Sequence, residues 1–465
     1  MHLTLILAVI SSAGNADQPR LAAPDSLVAP VRCDTINEVE LVLFPPENAA
    51  LPYSYQVSWG DGETLDWTMP IRTPIDISRH HRYRSYGEFT IRARARDSLE
   101  RVSDWSRPTT VTAGEQPLKW VYPTLNAIVA APTLDTDGNI YVGDDSGLFY
   151  SVTPEGQYRW HFETKASIYA AAAFHKGRLY VPSLDSHLYC LDTNGKLIWE
   201  IDLDDELYTV PAVSMGGDLY VGTDSGRLYS VDAKGRLRWT FQAGDEISSS
   251  PTIGPDGLIY LTADSVYCLD SKMRLKWTFG APGGDYFFAG AVPDHEGTVY
   301  APNTDGFVYA IQPDGRLRWR APVPDVDEIR TEAVFGPADT LFVGTDGFYL
   351  CRKVPDGTFD NIHEADDIIA ATPALSENGT LYVLPDDGYM YAFTTYGRPV
   401  WVHEIAADEK DTYYGSSPTI APDGTVYVGS WDGGIYAFEG DGAPAKTLWP
   451  QYRHDAQHTG RVPAR

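Results

Sequence analysis

Basic residues and cysteine are scarce in this chain. Lysine and arginine number 36 against 64 acidic residues, a formal charge of −28. A surface of that sign repels a phosphate backbone, which excludes nucleic acid as a partner. The four cysteines in 465 residues form no disulfide framework and no zinc-ligand spacing. Three of them stand in like contexts, LYCLD (Cys190), VYCLD (Cys268) and YLCRK (Cys351), where related stretches read LYSVD or VYAIQ. That slot predicts a small buried strand residue. Long apolar runs are also missing, so no transmembrane segment is expected. The short run Leu3 to Ile10, in MHLTLILAVISSAGNA, predicts a signal peptide over residues 1–16, and no cysteine follows it to accept a lipid. The expected protein is secreted, periplasmic or on the cell surface of a bacterium, and monomeric.

Hydrophobic residues make up 43% of the chain and aromatic residues 12%, enough for a large core and more than one domain. Up to residue 116 the pattern is of short alternating strands broken by Asp-Gly and Pro-rich turns, as in VELVLF and YSYQVSWGDGET. That is a β-sandwich signature. VSWGDGET followed by HRYRSYGEFTIRARARD resembles the PKD family of immunoglobulin-like domains, with Trp59, Gly60, Asp61, Gly62, His81, Tyr83, Gly87 and Phe89 on the family's positions. The resemblance implies a spacer or adhesion module over residues 17–116.

From residue 117 one phrase recurs, in YTVPAVSMGGDLYVGT, SSSPTIGPDGLIYLT, AATPALSENGTLYVLP and GSSPTIAPDGTVYVGS. Each copy continues through an Asp-rich turn and a strand to a tryptophan. These are Trp120, Trp160, Trp199, Trp239, Trp277, Trp319, Trp401 and Trp449, at steps of about 40 residues with one double step that passes a lost tryptophan near Asn361. A unit of that length is one four-stranded blade, and eight of them predict an eight-bladed β-propeller over residues 117–465. A lone blade leaves its faces and edges uncovered, so the ring must close. Either LKWVY at Trp120 or the segment after Trp449 completes the last blade. The Asp-Gly pairs supply the positive-φ residues of tight hairpins, which makes their aspartates turn residues.

YCLDTNGKLIW, YSVDAKGRLRW and YAIQPDGRLRW resemble the tryptophan-docking repeats of pyrroloquinoline-quinone-like (PQQ-like) propellers. The resemblance implies that Trp160, Trp199, Trp239, Trp277, Trp319, Trp401 and Trp449 dock neighbouring blades together. The family has an enzymatic branch, the quinoprotein dehydrogenases that use PQQ and calcium, and a cofactor-free branch that includes an outer-membrane assembly lipoprotein. The adjacent cysteine pair of many enzymatic members is absent from this chain. No serine nucleophile elbow or paired-carboxylate signature stands out either. No catalytic residue is assigned, and no cofactor is expected beyond a possible calcium ion.

The segment WPQYRHDAQHTGR carries two histidines four apart. A metal pair at that spacing needs a helix, and Pro450 and Gly460 bracket too little periodic apolar sequence for one, so the segment reads as a closing piece. One constellation rises above the acidic background. Asp205, Asp245, Asp285, Asp327 and Asp367 each fall six residues before the Pro or Ala that opens an inner strand. With Glu206, Glu246 and Glu328 they predict an acidic ring on one face of the funnel, joined by Tyr208, Tyr286, Phe288, Tyr413 and Tyr414. The five aspartates are the candidate calcium ligands. Composition and motifs together predict a non-catalytic scaffold that binds a protein or carbohydrate partner at this face. The competing readings are a quinoprotein oxidoreductase and a calcium-binding cell-surface structural protein.

Overall fold

The computed structural model describes residues 51–62, 64–72, 77–81, 87–106, 108–113, 117–324, 328–354, 357–365, 367–405 and 416–462, with the strand backbones 4–6, 32–33 and 39–43. The chain is all-β: a 3-10 turn at Pro337–Asp339 is the one helical element among the described residues. It divides into two compact units, Met1–Gln116 with Pro399–Val402, and Pro117–Arg398 with His403–Arg465.

In the first unit, a five-stranded sheet joins Arg32–Cys33, Thr109–Ala113, Gly87–Arg96, Ser54–Ser58 and Thr64–Leu65, and a three-stranded sheet joins Thr4–Ile6, Val39–Leu43 and Ile77–His81. Thr4–Ile6 lies inside the stretch read as a signal peptide and pairs in parallel with Val39–Leu43. Alternation places Tyr53, Tyr55, Val57, Ile91, Ala93 and Ala95 in the core. Of the PKD-like positions, Trp59 stacks on His81 with ring centroids 4.6 Å apart, and Asp61 Oδ2 lies 2.6 Å from His81 Nε2. Gly60 takes φ +90, and a Cβ there would meet the Thr90 amide nitrogen at 2.5 Å. Tyr83 lies outside the described residues.

From Leu118 to Phe438 the described strands form eight four-stranded sheets. The first, Thr133–Leu134, Ile140–Gly143, Leu148–Val152 and Tyr158–Glu163, sets the pattern: its first two strands are buried throughout, its third almost so, and its fourth alternates toward solvent. This distribution follows from stacking, because each sheet buries both faces against its neighbours and only the outer strand meets water. The inner strands are tied to one another. Thr133 Oγ1 donates to Ala172 O at 2.7 Å, Thr252 Oγ1 to Ala291 O at 2.6 Å, and the Glu332 amide to Thr372 Oγ1 at 3.0 Å. Ser416 Oγ in the last sheet donates to Ala130 O at the first, 3.1 Å away, so the series closes on itself.

Which terminus completes the last sheet is resolved by pairing. Leu118–Pro123 is the fourth strand beside Gly434–Phe438, with Trp120 opposite Ala437. Trp120 thus occupies the docking position of that sheet, and Trp449 does not. Trp449 belongs to no strand, is fully buried, and donates its indole N–H to Glu332 Oε2 at 2.9 Å. Its place in the count of tryptophans came from spacing alone, and the step to it from Trp401 is longer than one repeat.

The docking contact itself is concrete. Trp120, Trp160 and Trp277 donate their indole N–H to Pro154 O, Thr193 O and Pro313 O of the following sheet at 2.9, 3.0 and 2.9 Å. Each ring covers a turn glycine: a Cβ on Gly156, Gly195 or Gly315 would meet the indole at 2.6 to 2.8 Å. Opposite the tryptophans stand small residues, Ser151, Cys190, Ser230, Cys268 and Ala310. Cys190 and Cys268 are therefore small spacers beneath an indole. Asn361 takes the position of the lost tryptophan, opposite Cys351, whose thiol reaches its side-chain oxygen at 3.2 Å. In the corresponding turn of the sheet that follows Trp239 the left-handed residue is Met273 (φ 60) in place of glycine, and Trp239 is 46% exposed.

Candidate functional site: a cavity closed at one end by residues 449–462

The loops that lead into the inner strands surround a cavity of about 530 Å³. Its wall holds Tyr169, Tyr208, Glu246 and Phe288, with Asp224 and Arg330 beside them, and its deeper part holds Ser249, Ser250, Glu332, Thr372 and Ser417 above Tyr452. Of the residues expected at this face, Tyr208, Glu246 and Phe288 line the cavity. Asp205, Asp245, Asp285 and Asp367 lie on the same set of loops and are not among the lining residues. Asp327, Tyr413 and Tyr414 lie outside the described residues.

The carboxylates of Asp205, Asp245 and Asp367 are engaged by backbone amides or a tyrosine hydroxyl of these loops. Asp205 Oδ2 accepts the Ser225 amide at 2.7 Å, and Asp367 Oδ1 accepts the Ile368 amide at 2.8 Å. Asp245 Oδ2 accepts the Tyr286 hydroxyl at 2.8 Å, which holds its carboxyl below the usual range. The backbone oxygen of Asp285 accepts from Asn303 Nδ2 at 3.1 Å. Tyr208 donates to Glu206 Oε2 at 2.7 Å. Among the described residues, no group of three or more His, Cys, Asp or Glu stands together in a way that could hold a metal.

Glu246 behaves differently. Partial burial raises its carboxyl, and the negative charges of Asp224 and Asp245 raise it further. Across the cavity Arg330 bridges Glu328 Oε2 at 2.6 Å and Asp346 Oδ2 at 2.9 Å and lies over the Phe288 ring. Burial pushes the Asp346 carboxyl up to about 6. Arg330 and Asp346 were not expected from the sequence: Arg330 is a lone charge in the column of Tyr169, Tyr208 and Phe288, and Asp346 shares the turn column of Asp224 and Asp386, where turn chemistry already explains an aspartate.

The floor is built by the segment WPQYRHDAQHTGRV, which circles the axis. Phe335 and Leu375 donate their amides to Trp449 O and Pro450 O at 2.8 Å each, and Ile420 donates to Gln451 Oε1 at 2.8 Å. Leu134, Phe174, Val213 and Ile253 then donate to Ala456 O, Gln457 O, Thr459 O and Gly460 O at 2.7, 2.8, 2.9 and 2.8 Å. All seven are the second residue of an inner strand; in the remaining sheet, the fifth in chain order, that residue is Pro293, which has no N–H to donate. Trp449 and Val462 meet there, packed with Val292.

From this circle Arg453 crosses the axis. Its guanidinium donates to Ser250 O at 3.1 Å and to Pro251 O, and faces Glu332 Oε1 at 3.4 Å. Gly460 is required beside it, since a Cβ would overlap Arg453 Nη2. Glu332 stands in a column that elsewhere holds Ala171, Val210, Ser250, Gly290 and Thr372. A lone charge in a column of small residues was the available sign of it. The two histidines serve the floor too. His458 is buried with Nδ1 3.1 Å from Thr133 Oγ1 and Nε2 3.3 Å from Thr419 Oγ1, which joins the first sheet to the last. Burial drives its pKa down to about 3.

Sheets radiating from a common axis, tryptophans docked over the next sheet's turn and a cavity at one mouth define a β-propeller of repeats. Residues 96–204 and 184–351, together more than half of the chain, match the PQQ-like repeat family model described as outer membrane protein assembly factor BamB. The chain belongs to that family. Among solved structures it is similar to BamB from Moraxella catarrhalis, with 15% identity over 70% of this chain and 100% of that one and a TM-score of 0.57. It is likewise similar to the computationally designed Ika8 protein, with 14% identity over 70% and 100% of the two chains and a TM-score of 0.59. No curated protein matches it by sequence.

Proposed function

We propose that this chain is an exported, non-catalytic scaffold: an eight-bladed propeller behind an immunoglobulin-like module, which holds a protein partner at the mouth where the cavity opens. The observation that carries this reading is the blind pocket. Residues 449–462 occupy the inner-strand ends, so the loops bearing Tyr208, Glu246 and Phe288 are left as the face with concave, aromatic and acidic surface. Membership of a family described as an outer membrane protein assembly factor supports a partner protein in the envelope, and fold alone would not.

The lining argues against the quinoprotein alternative. PQQ is a polyanion, and among the described lining residues the cavity offers Asp224, Glu246 and Glu332 against one cation, Arg330, which already bridges two carboxylates. A calcium-binding surface protein finds less support than a partner protein, because the Asp205 and Asp245 carboxylates already accept hydrogen bonds from the Ser225 amide and the Tyr286 hydroxyl of neighbouring loops.

The test is photocrosslinking in the envelope of the native host. A photoreactive residue in place of Tyr208 should trap one discrete protein, lost when Phe288→Ala is added. The same probe at Leu237, on an outer strand, should trap none. Equal, unspecific crosslinks from both positions would refute the assignment of this face.

A further inference from the structure

The inner edge of a propeller sheet is a row of amides with no strand to pair with, and in this chain one segment answers almost all of them in turn. Seven amides at one structural position, from Leu134 round to Ile420, donate to residues 449–460, and the eighth position is filled by the one residue type that needs no acceptor, Pro293. The segment does not continue the repeat and contributes no strand to any of the eight sheets. It visits the sixth, seventh and eighth sheets, then the first to the fourth, with its two ends meeting over the fifth. Its side chains reach further: Trp449 and Arg453 to Glu332, His458 to Thr133 and Thr419, and Arg461 to Val213 O. Backbone donors that recur by symmetry, combined with side-chain pockets that do not, are the features of a peptide-binding site in which strand edges give affinity and pockets give specificity.

We propose that residues 449–462 are an in-chain peptide ligand. The inner-strand ends form its binding site, Glu332 is the anchor that reads Arg453 and Trp449, and occupancy is what turns an open channel into a blind pocket. The ring is closed twice, once around its circumference by Leu118–Pro123 and once across its axis by this clasp. The inference extends the reading of the cavity as a partner site and does not depend on who the partner is.

The experiment keeps the full chain. A specific protease site is inserted between Lys446 and Thr447, where the Lys446 side chain is 88% exposed, and the folded protein is cut. The fragment from Thr447 onward is expected to stay with the ring on gel filtration. The thermal midpoint of the cut protein should fall on dilution, as it must for a two-part complex, while that of the uncut protein stays constant. In a cut Arg453→Ala protein the fragment should be retained at least tenfold less tightly. A fragment that leaves a ring of unchanged midpoint overturns the proposal, and so does a cut protein whose midpoint ignores dilution. If Arg453→Ala fails to fold, Gln457→Ala, which keeps its backbone acceptor, should be retained like the parent, whereas scrambling residues 449–462 should abolish retention. Equal retention of the scrambled segment also overturns the proposal. Failure of the partner face would instead be seen as loss of crosslinking from Tyr208 with the clasp behaviour intact.

Discussion

Arg453 and Glu332 form a buried ion pair on the propeller axis, Nη1 to Oε1 3.4 Å, with the Arg453 side chain wholly buried and that of Glu332 4% exposed. Glu332 is also where the Trp449 indole and the Arg453 amide end. Removing one partner strands the other charge in a dry interior, so Glu332→Gln should lower stability by about 3 to 5 kcal/mol. Glu332→Gln with Arg453→Met should recover part of that loss, because the orphaned charge goes with it. Chemical denaturation of the three proteins at one pH measures it.

His458 makes stability depend on pH. Its folded pKa lies near 3 because burial disfavours the charged ring, against about 6.5 in the unfolded chain. Below that upper value the unfolded state takes up a proton that the folded state refuses. The contribution is therefore complete above about pH 6.5 and shrinks by about 1.4 kcal/mol per unit as pH falls toward 3. The charged neighbours act in opposite senses, Asp455 raising the pKa and Arg453 lowering it, and burial outweighs both. Unfolding free energies of the parent and of His458→Gln at pH 7, 6 and 5 should diverge in slope by that amount.

The docking of one sheet on the next can be tested at two glycines. Gly195 (φ +80) lies under Trp160, with a virtual Cβ 2.7 Å from the ring, whereas Gly177 (φ +75) has open space around it. Alanine at Gly177 should cost roughly 1 kcal/mol from backbone strain alone. Alanine at Gly195 should cost more, up to about 3 kcal/mol, since the indole must also move. Equal costs would mean that the indole does not bear on the turn.

Burial pushes the Cys190 and Cys268 thiols up to about 12. Thiolate is the reactive species, so neither should take up an alkylating reagent in the native protein at pH 8. Peptide mass spectrometry before and after unfolding should find both modified only after it.

Much of the ring was legible because its determinants are local and repeated. The tryptophan period, the turn glycines and the small residue opposite each indole recur in sequence, and Asn361 falls where the missing tryptophan was expected. The N-terminal closure was not decidable, since Trp120 and Trp449 both stood at plausible spacings and the pairing of Leu118 with Phe438 spans the whole repeat region. The floor was opaque for the same reason. Residues 449–462 have no period of their own; their course is set by amides spread from Leu134 to Ile420. At the mouth, the recurring aspartates are not among the lining residues; the carboxylates lining the cavity are Asp224, Glu246 and Glu332, of which Glu246 was expected there and Asp224 and Glu332 were not.

The reading of a one-mouthed pocket rests on the inner-strand ends being filled, and amide hydrogen exchange measures that directly. Leu134, Phe174, Val213, Ile253, Phe335, Leu375 and Ile420 donate to residues 449–460. Their amides should exchange as slowly as those of the buried second strands, such as Val142 and Val221. Rapid exchange at these seven positions, with the second strands still protected, would mean an open channel and would remove the basis for placing the partner at the Tyr208 face.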